Sequence, residues 1–339
     1  MEFLYEYGLF LAKAVTLVAA VVAIIVAAAA ANRAGKGQKG ELKIHNLTDR
    51  FEQYEDKLAN ELLSESQWKA REKARKAELK AKEKQSKDEA REGRLFLIDF
   101  KAGIDAAQVA QLREEISAVL TVAEAKDEVL VRVESGGGMV HAYGLAASQL
   151  DRLRQAQIPL TISVDKVAAS GGYMMACVAD KILAAPFAIV GSIGVIAQVP
   201  NFNKLLKKHD IDFEQHTAGE FKRTLTLFGE NDDAGREKFK EELEQTHELF
   251  KAFVQRYRPE LDLAKVATGE HWFGLQAQEL GLVDAIQTSD DYLMAQDKEI
   301  LQLQYEEKKN LAKRFGRAAE SAIERGSLKL AELGRRPLG

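Results

Sequence analysis

A single cysteine, Cys177, stands among the 339 residues. A disulfide within the chain is impossible, and so is a multi-cysteine zinc or iron–sulfur site. Prolines number 5 against 24 glycines, so the chain has no proline-rich linker. Neither sign of charge dominates. Lys and Arg total 48, Asp and Glu 52, and the net −4 argues against a general nucleic-acid binder. The six histidines, His45, His141, His209, His216, His247 and His271, form no H-E-x-x-H or H-x-H pattern, so no metal site is expected. No G-x-G-x-x-G follows a strand and no P-loop occurs, so no nucleotide cofactor is expected either. Wholesale disorder is excluded, because 46% of the residues are hydrophobic against 29% charged. The length allows one large domain or two small ones.

One long hydrophobic run is present. Residues 14–31, AVTLVAAVVAIIVAAAAA, carry no charge over 18 positions. As a helix they extend about 27 Å, close to the roughly 30 Å hydrocarbon layer of a bilayer. This predicts a membrane anchor over residues 1–32. A cleaved signal peptide is the alternative, since the alanines at 27–31 satisfy a small-residue cleavage rule. Glu2 and Glu6, where a basic cluster would be usual, speak against it. Arg33, Lys36, Lys39 and Lys43 follow the run, and the positive-inside rule then puts the body in the cytoplasm.

Residues 33–94 read as a charged helical spacer. A glycine and lysine hinge at 35–40 precedes a polar stretch without proline from Leu47 to Arg94. Its plain reading is a solvated helix. A partner-helix contact or a lipid-surface contact is the sharper one.

Strand and helix signals alternate from Leu95. Residues 95–100 (LFLIDF), 128–133 (EVLVRV) and 160–164 (LTISV) read as buried strands. Residues 106–123, 144–156 and 171–179 read as helices. The pattern is that of an α/β domain with parallel pairing, here assigned to 95–290. A long amphipathic helix is expected over about 230–258, and a helical polar tail over 291–339. The uncharged stretch 182–203 is broken by Pro186, Gly191, Gly194 and Pro200, so it reads as a buried strand and turn and not as a second span.

Three glycine turns follow apolar strands: Glu134-Ser135-Gly136-Gly137-Gly138, Ala168-Ala169-Ser170-Gly171-Gly172 and Gly191-Ser192-Ile193-Gly194. Glycine lets backbone N–H groups converge, most readily at helix N-termini where those donors are unpaired. An oxyanion hole is built from such donors. Ser170, at a helix start, is a nucleophile candidate, although a serine there also serves as an N-cap. A serine nucleophile needs a base. No histidine has a neighbouring motif that recommends it. A lysine can act if it is neutral, and Lys222 in Gly219-Glu220-Phe221-Lys222-Arg223 is one of several candidates.

Five segments carry a resemblance: ESGGGMVHAYGLAASQL (134–150), DKVAASGGYMMACVADKI (165–182), VGSIGV (190–195), GEFKRT (219–224) and TGEHWFGLQAQELGLVDAI (268–286). They resemble the signal peptide peptidase A family of membrane-anchored serine peptidases. The likeness is strongest to a branch of inner-membrane proteases of Gram-negative bacteria. The resemblance implies a Clp-protease and crotonase type of α/β superhelix. It also implies a serine endopeptidase with a Ser-Lys dyad that cuts extended or membrane-proximal polypeptides. Carried over by motif, Ser170 is the nucleophile and Lys222, 52 residues later, the base. Gly137 and Gly171 would supply the oxyanion hole, and Ser192 would orient the lysine. No metal or cofactor is implied. The implied partners are polypeptide substrates, the bilayer and further copies of the chain in a ring. The family places the body in the periplasm, opposite to the basic flank. One departure is Gly136, where the family has proline, which loosens the backbone before the oxyanion donor. A chemically silent scaffold and a crotonase-type acyl-CoA enzyme are the other readings of the same turns.

Overall fold

The computed structural model describes residues 40–85 and 93–307, with six isolated positions between 7 and 16. The expected anchor lies almost wholly outside the described residues, and the tail beyond residue 307 lies entirely outside them. Among the described residues no helix is long and apolar enough to cross a membrane. Residues 42–304 form one compact unit.

The α/β alternation folds as a seven-stranded sheet. Its strands are β1 (Gly40–Asn46), β2 (Arg94–Lys101), β3 (Glu128–Glu134), β4 (Leu160–Val164), β6 (Lys181–Ala184), β9 (Ala285–Ile286) and β10 (Glu299–Glu307), in the order β1-β10-β2-β3-β4-β6-β9. Every pairing from β10 to β9 is parallel. Such strands are covered on both faces, which is why β2, β3 and β4 read as continuous apolar runs. Helices α3 (Val109–Val122) and α4 (Val140–Gln155) bury Leu112, Ile116 and Val119, and Tyr143, Ala147 and Leu150. A fully buried leucine or isoleucine contributes roughly 1.5–3 kcal/mol, so these periodic stripes dominate the core.

Two stretches differ from the sequence reading. Within the tail expected to be helical, residues 299–307 form a strand instead, because β10 lies beside β2 with Ile300 paired to Leu95. Its Leu301-Gln302-Leu303-Gln304-Tyr305 alternation has period two, a strand signal that the polar composition masks. The spacer is not a free helix throughout. It opens with β1, and Asn46 caps α1 (Leu47–Leu62) by accepting the Asp49 N–H at 3.1 Å. Leu47 and Phe51 of α1 pack on Leu95, Leu97, Leu130, Leu293 and Ile300. Only α2 (Glu65–Gln85) fits the solvated reading. Its Arg71 and Arg75 pair with Glu55 and Glu52 of α1 at 2.6 and 2.5 Å.

A second sheet positions the chemistry. It holds β5 (Val167–Ala169), β7 (Ile189–Gly191) and β8 (His271–Phe273). β5 and β7 run parallel with Ala169 opposite Gly191, and β8 is antiparallel to β7. Residues 182–203 thus supply β6, β7 and a turn, as expected of a stretch that does not span. Helix α5 (Gly171–Ala176) leaves β5 fully buried. Short helices α6 (Asn203–Lys208), α8 (Leu263–Val266), α9 (Gly274–Glu279) and α10 (Ser289–Met294) punctuate the C-terminal half. The long helix is α7 (Asp233–Tyr257), which buries Phe250 and Val254.

Candidate active site

The register of β5 and β7 sets two serines side by side. A serine follows each strand, Ser170 and Ser192, and Ala169 pairs with Gly191 just before them. The Ser170 N–H donates to the Gly191 carbonyl at 2.7 Å. Both serines have φ of 52°, a conformation rare outside glycine. At Ser170 it comes with ψ of −118° and sits between β5 and α5. Backbone strain of this kind costs about 1–3 kcal/mol and persists only where the surroundings enforce it. The Ser170 side chain does not cap α5, and its Oγ makes no hydrogen bond among the described residues. The N-cap reading of this serine therefore fails, and the hydroxyl is free for chemistry.

A cleft of about 790 Å³ opens over Ser170. All three glycine turns reach it through Gly136, Gly137, Gly138, Gly171, Ser192 and Gly194. Ile104, Met139, Met174 and Phe250 supply apolar walls. Among the described residues no carboxylate lines the cleft, which leaves the crotonase reading without its acidic groups. Close packing brings the turns together. A Cβ on Gly137 would lie 2.7 Å from the Ser170 Cβ and 2.6 Å from the Gly171 nitrogen. A Cβ on Gly171 would lie 2.4 Å from the Tyr143 ring.

Tyr143 is the buttress that sequence reasoning missed. Its buried ring backs Gly171, and its hydroxyl donates to the Gly103 carbonyl at 2.6 Å and bonds Ser135 Oγ. Burial pushes the Tyr143 phenol above its ordinary range. Ser135 Oγ in turn accepts the Gly137 N–H at 3.1 Å. One of the two expected oxyanion donors is thus already engaged. The N–H groups of Gly138 and Gly171 have no partner among the described residues. Gly138 is held by the chain beside it, where Met139 N–H donates to the Ile104 carbonyl at 2.8 Å.

Lys222 is not among the residues that line the Ser170 cleft. It is exposed and lines a different cavity of about 850 Å³ with His216, Arg223, Phe213, Phe228 and Phe239. Around it the stretch 196–228 exposes Ile196, Phe202, Leu205, Ile211, Phe213 and Phe221. Ser192 does reach the Ser170 cleft. Its N–H donates to the Glu270 carbonyl at 2.7 Å and its Oγ lies 3.4 Å from the Gly269 carbonyl. A histidine absent from the motif reading, His247 of α7, is the one ionisable side chain lining the cleft among the described residues. Its only available signal was its place on the buried face of α7.

Comparison with known proteins bears on this cleft. A model of the N-terminal part of peptidase family S49 matches residues 2–150, and the peptidase family S49 model matches residues 152–302. The chain belongs to peptidase family S49. Family membership makes it a peptidase, and the relatives carry names of the same kind. A probable protease SohB of Haemophilus influenzae is 50% identical over 332 residues, covering 95% of this chain and 94% of its own. A probable protease SohB of Buchnera aphidicola is 50% identical over 311 residues, covering 90% and 91%. Protease 4 of Haemophilus influenzae is 30% identical over 160 residues, covering 47% of this chain and 26% of its own. The S49 models together span all three glycine turns and the Lys222 segment.

Proposed function

We propose that this S49 peptidase is a serine endopeptidase in which Ser170 is the nucleophile and Lys222 the base. The observation that carries the reading is the strained Ser170 turn, whose Oγ lies in a cleft beside backbone N–H groups, with no partner for either among the described residues. Ser170 Oγ attacks the scissile carbonyl while the neutral lysine amine takes its proton. The oxyanion is met by the N–H groups of Gly171 and Gly138. Gly138 replaces Gly137 in this role because the Gly137 N–H is held by Ser135 Oγ. The lysine then protonates the leaving amine, and water hydrolyses the acyl-enzyme by the reverse steps. Ser192 orients the lysine from the cleft wall.

The lysine comes from a neighbouring copy of the chain. Two features favour this. Lys222 stands apart from its own Ser170 cleft, and the apolar side chains exposed over 196–228 suit burial against another subunit. His247 is not assigned as the base, because its Nε2 is taken up by the Ile193 carbonyl at 3.2 Å. Substrates are extended polypeptides, accepted through the apolar walls of the cleft. Residues 14–31 anchor the assembly in the bacterial inner membrane, which favours membrane-proximal segments.

Mixing tests the dyad and its sharing together. Ser170→Ala and Lys222→Ala chains are each expected to be inactive on a fluorogenic peptide. Co-assembled, they should regain activity, because some sites then combine an intact Ser170 with an intact Lys222. Turnover by Ser170→Ala alone would refute the nucleophile. No recovery on mixing, with oligomers formed, would refute the shared dyad. Since a lysine base acts only unprotonated, the rate should climb with pH through one ionisation.

A further inference from the structure

We infer that His247 is a positioning residue, whose Nε2–H fixes the turn that carries Ser192 and so sets the wall of the cleft beside Ser170. This rests on the serine-peptidase reading above and adds a component to it. The turn after β7 needs outside support, because Ser192 sits at φ of 52°. Backbone supports it from one side: Ser192 N–H donates to the Glu270 carbonyl at 2.7 Å, and Gly269 N–H donates to the Ile193 carbonyl at 3.2 Å. Among the described residues, a side chain adds support from α7. His247 Nε2 lies 3.2 Å from the same Ile193 carbonyl.

The placement of His247 follows from helix geometry. Residues 247, 250 and 254 share one face of α7, and Phe250 and Val254 anchor that face in the core. An aliphatic residue at 247 would extend the stripe. A histidine there instead delivers a rigid donor at the rim of the stripe, where the cleft begins. The chemistry of the bond is one-directional. A carbonyl only accepts, so Nε2 carries the proton in the neutral ring. The imidazolium also carries a proton on Nε2. The tether therefore survives in both protonation states. Through it α7, the helix that follows the Lys222 segment, is tied to the turn of Ser192.

Three substitutions in the full-length chain separate the roles. His247→Gln puts an amide N–H the same number of bonds from Cα as Nε2, His247→Asn puts it where Nδ1 stands, and His247→Leu removes it. The tether predicts that Asn and Leu lower kcat about 10- to 100-fold with KM unchanged, as expected when reacting groups are misplaced by about an ångström. Gln should restore kcat to near the parent value, with the pH profile unmoved. Gln as slow as Leu, or Leu as fast as the parent, would overturn the proposal. All three variants falling to the Ser170→Ala level would overturn it in favour of a histidine base. Nitrogen-15 shifts of histidine-labelled protein, assigned by the signal lost in His247→Gln, read the tautomer independently of catalysis. Protonated Nε2 with bare Nδ1 is expected, and the opposite tautomer would refute the tether even if Ser170 proved not to be the nucleophile.

Discussion

Gly137→Ala should damage both the fold and the chemistry of the cleft. Gly137 has φ of 87°, where an alanine pays for its Cβ. That conformation alone costs an L-residue about 1–2 kcal/mol. The new methyl would also meet the Gly171 nitrogen at 2.6 Å, the Ser170 Cβ at 2.7 Å and the Ala169 carbonyl oxygen at 2.8 Å. None of these is the free end of a flexible side chain, so relief requires backbone movement, and overpacking of this kind costs about 1–3 kcal/mol. Together the loss is about 2–5 kcal/mol. For a unit of this size, at about 2 °C per kcal/mol, the melting temperature should fall by roughly 4–10 °C. The atoms that must yield belong to Ser170 and to the Gly171 donor, so peptide turnover should fall further than the loss of folded protein explains. Gly136→Ala is the control, since its Cβ would meet nothing within 4 Å and its φ is not positive. Thermal unfolding and turnover of the two variants, measured side by side, check the reasoning. A Gly137→Ala chain with the parent melting temperature and rate would refute it.

Replacing the nucleophile should reveal the strain stored there. Ser170→Gly should be more stable than Ser170→Ala by about 1 kcal/mol, because glycine adopts positive φ freely while alanine retains the strain. Both should be inactive, and urea unfolding that ranks alanine above glycine would count against a strained turn. Tyr173 is fully buried and donates to the Leu282 carbonyl at 2.9 Å, and burial pushes its phenol well above the ordinary value. A raised folded-state pKa means that its contribution is complete below about pH 10 and is lost above it, at about 1.4 kcal/mol per pH unit. Urea unfolding between pH 8 and 11 should show Tyr173→Phe with a slope shallower by one proton, and equal slopes would refute the assignment. At neutral pH the same variant should be about 1 kcal/mol less stable, for the lost hydrogen bond.

Local chemistry made much of this protein legible before folding. Strands β2, β3 and β4 are short apolar runs bounded by polar turns, and that signal is carried by neighbouring residues. The Ala169-Ser170-Gly171-Gly172 turn announced itself in the same way, because glycine beside serine after a buried strand marks a close backbone approach. Tertiary structure decided what depends on distant partners. The alternation in β10 became a strand only because β2 offered an open edge to pair with. Ser192 became a neighbour of Ser170 through the parallel register of β5 and β7, which the 21 intervening residues do not encode. His247 entered the cleft because Phe250 and Val254 anchor its helix. Sequence determines which residues a turn or a strand can hold, since those limits are steric and local. Which turns meet in one cleft, and which side chains line it, are set by contacts between segments remote in the chain.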